Sequence, residues 1–373
     1  MLTLGSLFDG IGGWQLAAVH AGVKPIWSSE IEKFPLAVTR KRFPDTKQLG
    51  DVTKITDVEP VDIVCAGSPC QDLSIAGKRE GLAGERSGLF INAINIVRQM
   101  RMSTGGRQPR FFIWENVPGA FTSGSERGAD FRAVLESIAE TSIPMPKDGR
   151  WANAGMVQCP KCEIAWRVLD AQFWGVPQRR RRIFLVADFA TEKRCAAEVL
   201  FVEQSVPRDT AESSTARKEV VTVTGNGTRT SSWCIAGNVI NWSGDQEAFS
   251  GNYFVIDKQQ EVPLYDISHL SDGVREIPKG ACNTLTARMG TGGGNVAVLN
   301  EADRQKTDDT QTVRRLTVTE CERLQGLPDG YTDVSVNGKP AIERDRLMAL
   351  GNGMAQPCAD YVIQRIVDEV GKT

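Results

Sequence analysis

Chemistry needs a reactive side chain held in a fixed direction, and the stretch Gly67, Ser68, Pro69, Cys70, Gln71 offers one. Pro69 restricts its own backbone and that of Ser68, so the Cys70 thiol leaves the loop along a set line. A lone loop cysteine is more often inert than catalytic, but two other blocks shift that balance. Trp114, Glu115, Asn116, Val117, Pro118 ends an apolar run with a carboxyl group, and Gln178, Arg179, Arg180, Arg181, Arg182 precedes another such run. A carboxyl beside a thiol suits addition to a pyrimidine: sulfur attacks carbon-6 while the acid engages the ring nitrogen and the exocyclic amine. Alternate arginines can turn into such a site to reach a base carbonyl, leaving the others for phosphate. In isolation the arginine block reads equally well as a solvated basic patch.

A glycine turn supplies a second kind of chemistry. Phe8, Asp9, Gly10, Ile11, Gly12 and Gly13 follow an apolar strand and open a helix. Glycines there let the backbone approach a ligand, and the helix N-terminus presents free N–H groups. The next strand ends at Glu30, where a carboxylate can take both hydroxyls of a ribose. A tight turn without a ligand, or the dinucleotide site of an oxidoreductase, also fits these residues. The oxidoreductase leaves the thiol loop and the arginine block without a use.

The elements that must position these groups follow from periodicity. Apolar runs at 2–8, 25–29, 62–66, 111–114 and 182–187 predict strands, and amphipathic stretches at 14–21, 31–43, 89–102 and 129–140 predict helices between them. The alternation predicts an α/β fold, a doubly wound parallel sheet with helices on both faces, in which Cys70 and Glu115 both follow the carboxyl ends of strands. From 191 to 309 the chain turns rich in Ser, Thr, Gly and Asn. Six aromatic residues between Trp233 and Tyr265 favour a small loop-rich domain there over a partly disordered insert. A helix at 358–370 is expected to pack back on the first domain. The predicted organisation is a catalytic domain of residues 1–190 plus 340–373, with a second domain at 191–339.

Composition excludes several classes. With 373 residues and 41% hydrophobic content, the chain can bury one large core and a smaller one. Two histidines, His20 and His269, stand apart from other ligand-type residues, which removes histidine triads and zincin-type sites. Nine unevenly spaced cysteines do not form a secreted disulfide framework. Cys159 and Cys162 form a zinc-like half-site without a second pair at suitable spacing, so they are expected in a surface loop, with no metal. Trp174, in the stretch after them, is expected in the core. No apolar run reaches the ~18 residues of a membrane span and no leader is evident, predicting a cytoplasmic protein. A net charge of −2 leaves room for a local basic groove.

Taken together, the blocks resemble the carbon-5 DNA cytosine methyltransferases of bacterial and phage type. FDGIGG is similar to that family's cofactor loop, GSPCQ to its nucleophile loop, WENV to its catalytic acid and QRRRR to its glutamine-x-arginine-x-arginine element. RLTVTECERLQGLPDGY at 315–331 and LGNGMAQP at 350–357 resemble its last two motifs, and all six stand in the family's order. The resemblance implies a Rossmann-like domain that binds S-adenosyl-L-methionine through Phe8, Asp9, Gly10, Gly12, Gly13, Glu30, Ile31, Asp51, Val52, Pro69, Asn352 and Met354. It implies Cys70 as nucleophile, Glu115 as the acid engaging the cytosine, Arg182 as the contact to the base carbonyl and Arg180 in its support. Double-stranded DNA is the implied partner, with the target base flipped out of the duplex. Residues 191–339 occupy the slot of a target-recognition domain, and NTLTARMGTGGGN at 283–295 resembles its threonine-leucine element. Gln71, Ser74, Thr284, Leu285 and Arg288 are the implied DNA contacts. A single protomer suffices for this chemistry, and a cognate restriction endonuclease is a candidate partner. Where the family often has serine after the asparagine of its last motif, this chain has Gly353, without that hydroxyl. A transfer-RNA cytosine methyltransferase, or a catalytically dead DNA-binding scaffold, would share much of the pattern.

Overall fold

The computed structural model describes residues 1–68, 88–201, 264–266, 275–276, 282–285, 297–301 and 312–372. Pro69, Cys70, Gln71, Ser74 and Arg288 lie outside the described residues.

One sheet of eight strands organises the chain. Its strands are β1 (Thr3–Leu7), β2 (Lys24–Ser29), β3 (Lys47–Gln48), β4 (Ile63–Ala66), β5 (Phe111–Asn116), β6 (Ala154–Gln158), β7 (Glu163–Asp170) and, after the two-residue β8 (Gln178–Arg179), β9 (Arg181–Asp188). The spatial order is β3-β2-β1-β4-β5-β9-β7-β6. The first five run parallel, β9 is antiparallel to both β5 and β7, and β6 is antiparallel to β7. Strand order reverses between β1 and β4, which opens a crevice at their carboxyl ends.

The side-chain period of two sends alternate residues of the central strands into opposite cores. Ile63 and Cys65 of β4, Phe111 and Ile113 of β5, and Phe184 and Val186 of β9 pack with α1 (Gly13–His20) and the C-terminal helix. Val64, Ala66, Phe112, Trp114, Ile183 and Leu185 pack on the other side with α3 (Gly88–Ser103) and α4 (Ala129–Ala139). Being buried on both faces, these strands read as continuous apolar runs. The expected strands and helices of the first 190 residues are found within a few residues of their predicted ends.

A third core joins α2 (Lys33–Arg42) to the end of the chain. Ile11, Phe34 and Val38 pack with Leu285, Leu316, Leu324, Leu327, Tyr331 and Leu350. Thr317 and Glu320 form a capping box that starts the helix Val318–Leu324, as a T-x-x-E pattern should. Residues 316–339, read from sequence as part of the second domain, thus share a core with the first. So does the short helix α5 (Ala196–Leu200), which packs under β7 and β9.

Beyond α5 the described strands are β10 (Leu264–Asp266), β11 (Arg275–Glu276), β12 (Cys282–Asn283), β13 (Ala297–Glu301) and β14 (Thr312–Arg315). Four of them form an antiparallel sheet in the order β11-β10-β13-β14, while β12 pairs in parallel with β8. After the helix Val318–Leu324, here α6, come a hairpin of β15 (Ser335–Val336) with β16 (Lys339–Pro340), then α7 (Glu343–Asn352) and α8 (Gln356–Gly371).

Two expectations need correction here. Cys159 and Cys162 are not in a surface loop: they close the β6–β7 hairpin, are 6% and 0% exposed, and join the apolar core. Trp174 is only partly buried, against the ring of Tyr361 at 4.2 Å between centroids. Among the described residues no group of three metal-type ligands converges, and no helix is long and apolar enough to cross a membrane.

Candidate active site

The carboxyl ends of β4 and β5 lie side by side, so the loop entering Cys70 and the carboxyl of Glu115 meet at one edge of the sheet. Trp114 and Asn116, on the opposite side of β5 from Glu115, clamp that loop. The Trp114 indole donates to Ser68 Oγ at 3.0 Å, and Asn116 Nδ2 donates to the Ser68 carbonyl at 3.1 Å. The Asn116 amide oxygen accepts from Val117 N at 2.8 Å, so this side chain holds both strand-end turns.

Glu115 shares the parity of Phe111 and Ile113, and Arg182 that of Phe184 and Val186, so both project to one face. Arg182 Nε stands 3.2 Å from Glu115 Oε1, with side chains 16% and 14% exposed. Burial raises the Glu115 carboxyl above its usual range, and the positive charges of Arg182 and Arg180 oppose that shift. A carboxyl poised this way can hold a proton and lend it to a ring nitrogen.

Arg180, expected in support of Arg182, is held by backbone carbonyls. It lies at the break between β8 and β9, is 1% exposed, and donates to the carbonyls of Leu285, Gly351 and Gly353. Burial and the like charge of Arg182 lower its guanidinium to about 9.

The glycine turn follows β1 as predicted. Phe8, Gly10 and Gly12 have φ of +55°, +55° and +86°, the left-handed region that glycine enters freely. A Cβ on Gly12 would lie 2.6 Å from the Phe43 ring, so only glycine lets α2 close on the turn. A Cβ on Gly10 would meet open space, which leaves a cradle at the strand end. Glu30 faces this cradle: one carboxylate oxygen accepts from Gly10 N at 2.7 Å, and the other from Ile31 N and Glu32 N. Ile31 beside it is an apolar side chain 68% exposed. Asp51, after β3, caps the turn Val52–Lys54 by accepting from Thr53 N, a bond that lowers its carboxyl. Met354 lies against Gly13, at 3.4 Å from a Cβ built there, and Asn352 is exposed nearby in sequence.

Three further side chains named from the sequence are buried. Asp9 is 5% exposed, accepts from the Gln15 amide and is pushed up by burial to about 7, so its carboxyl braces the turn from within. Val52 is 6% exposed and packs in the core. Leu285, expected as a DNA contact, is 2% exposed and packs in the third core. Its partner Thr284 donates its hydroxyl to the Arg179 carbonyl, so the threonine-leucine element docks on the arginine strand.

Sequence reasoning missed the residues that fasten these parts. Buried Gln178 accepts from Leu285 N at 3.1 Å and donates to the Leu324 carbonyl at 2.7 Å. Tyr331 donates to the Ile11 carbonyl at 2.9 Å, and Gln356 to that of Gly13 at 3.1 Å. All three lie inside the motif blocks, and that membership was the available signal.

Comparison with known proteins agrees with this arrangement. The first curated relative is a DNA N-6-adenine-methyltransferase of Escherichia phage P1, 29% identical, covering 94% of this chain and 56% of that protein. The Type II methyltransferase M.HpaII of Haemophilus parainfluenzae is 26% identical, with 98% and 89% of the two chains covered. The chain spans about half the length of the first curated relatives it matches. The fold is shared with the crystal structure of the S. pombe Dnmt2 methyltransferase at TM-score 0.58 and 15% identity, over 99% of each chain. The profile described as C-5 cytosine-specific DNA methylase matches residues 2–368, spanning the glycine turn, the acid, the arginine strand and the final motif alike. The chain therefore belongs to the C-5 cytosine-specific DNA methylase family.

Proposed function

We propose that this protein methylates carbon-5 of cytosine in double-stranded DNA, with Cys70 as nucleophile. The observation that carries the reading is Glu115: a desolvated carboxyl, paired with Arg182 at 3.2 Å, beside the strand end that leads into Cys70. Its proton serves the ring nitrogen while the Cys70 sulfur bonds to carbon-6, which makes carbon-5 electron-rich. Once carbon-5 carries the methyl group, its proton passes to water, the sulfur leaves carbon-6 as thiolate, and the ring nitrogen returns its proton to Glu115, which restores the ring. Arg182 keeps Glu115 in place and offers further donors to the base carbonyl. A ring attacked at carbon-6 must leave the base stack, so the cytosine is flipped into the crevice.

The family implies S-adenosyl-L-methionine, and the residues fit it: an open glycine cradle, Glu30 for the ribose, exposed Ile31 against an adenine face, and Asp51 and Asn352 at the rim. When bound, that cofactor supplies the methyl group to carbon-5. Thr284 and the segment it anchors belong to the recognition region read at residues 191–339. By analogy with relatives named Type II methyltransferases, a cognate restriction endonuclease is its companion, and one protomer in the cytoplasm suffices.

Single-base mapping of modified bases in DNA from a methylation-free host expressing the wild type or Cys70→Ala tests this. The expected result is 5-methylcytosine in one short sequence context, lost in the variant. Methylation of RNA alone, of adenine, or of nothing by a folded, cofactor-binding protein overturns the reading.

A further inference from the structure

Arg180 is among the largest fully buried side chains. Its hydrogen-bond partners among the described residues are three carbonyl oxygens: Leu285 at 2.9 Å, Gly351 at 3.0 Å and Gly353. Gly351 and Gly353 straddle Asn352 at the C-terminal end of α7. Helix ends leave carbonyls without partners and carry the negative end of the dipole, so a buried cation is favoured there. The third carbonyl belongs to the segment that β12 and Gln178 hold against β8. One planar fork therefore fixes the backbone on both sides of Asn352 and the anchor of the recognition region. A lysine, with its compact ammonium, cannot span all three acceptors in the same way.

We propose that Arg180 is a positioning residue that couples DNA binding to cofactor binding: it sets Asn352 at the cofactor rim and ties that setting to the docking of residues 282–285. This rests on the methyltransferase reading above. By thermodynamic reciprocity, target DNA and cofactor then tighten each other's binding by one common factor.

The test is calorimetric titration of S-adenosyl-L-methionine into the full chain, with and without a duplex bearing the mapped target, alongside a thermal melt of each variant. In the wild type the cofactor binds more tightly when the duplex is present. Arg180→Lys weakens cofactor binding about tenfold and brings the ratio of the two Kd values towards one. Asn352→Ala also weakens it, and the double variant is no weaker than Asn352→Ala, because Arg180 acts through that residue. A purely structural arginine would lower Tm while leaving the Kd ratio unchanged, and that outcome overturns the proposal. So do additive losses in the double variant, or a wild-type ratio of one. A wild type that binds no cofactor overturns the methyltransferase reading itself, which distinguishes the two failures. Should Arg180→Lys not fold, amide hydrogen exchange on the wild type decides: added cofactor slows exchange at 282–285 as well as at 349–354. Protection confined to 349–354 overturns the coupling.

Discussion

Removing the Asn116 side chain tests how the strand end that leads to the proposed nucleophile is held. Ser68, Trp114 and Asn116 are 5%, 0% and 3% exposed, so water cannot replace a lost partner without entering the core. Asn116→Ala strips the Ser68 carbonyl of a donor at 3.1 Å and Val117 N of an acceptor at 2.8 Å. An unmet buried polar group costs about 1–3 kcal/mol, and the part-buried Val117 N–H costs less, so the two together cost about 1–3 kcal/mol. The same loss frees the loop entering Cys70, and a misplacement of ~1 Å costs roughly 100-fold in rate. Urea denaturation followed by tryptophan fluorescence reads the first effect, and single-turnover methyl transfer at saturating cofactor reads the second. Cofactor affinity is expected to stay close to that of the wild type, because the glycine turn and Glu30 make none of these bonds. The neighbouring bond allows a finer check: Trp114→Phe and Ser68→Ala remove the same hydrogen bond, so a double-mutant cycle should give a coupling of about 1 kcal/mol. A folded Asn116→Ala that reacts within about threefold of the wild type would refute the clamp, given the loss expected from misplacement.

Other outcomes follow from the same geometry. Glu115→Gln keeps the shape but gives up the proton, so the single-turnover rate should fall by roughly 10²–10⁴ while a melt shows an intact fold. Asp9, held at about 7 against an ordinary 3.8, binds its proton more tightly folded than unfolded. Its contribution to stability is therefore full below pH 4 and is lost as pH rises towards and through 7. Asp9→Asn should flatten that decline in urea midpoints measured at pH 5 and pH 8, and an unchanged slope would assign it elsewhere. Leu285→Ala should destabilise the third core by about 2–5 kcal/mol. It should also raise KM for DNA through loss of the anchor, whereas unchanged stability would contradict its burial.

The sequence by itself determined five of the sheet's eight strands, β1, β2, β4, β5 and β9, the helices between them and which motifs stand at strand ends, but not β3, β6 and β7 or the antiparallel direction of β9. Strands buried on both faces must be continuous apolar runs, and the chemistry follows directly after them, so Gly67–Ser68 and Glu115 could be placed beside each other from pattern alone. The glycine turn was equally legible, because only glycine combines left-handed backbone at Gly12 with the approach of Phe43. What the two arginines of one motif do was decided by tertiary structure. Two residues apart in a regular strand they would share a face, but the chain breaks between β8 and β9 at Arg180. Arg180 turns into the interior to meet three carbonyls, while Arg182 follows the strand period to Glu115. Leu285, Cys159 and Cys162 tell the same story. Their residue types fit a DNA contact or a thiol loop, but burial depends on which distant segment packs over them, and a local window carries no record of that partner. The third core shows it most fully: Ile11, Phe34, Leu285 and Tyr331 come from four stretches of chain whose meeting is set by long-range packing.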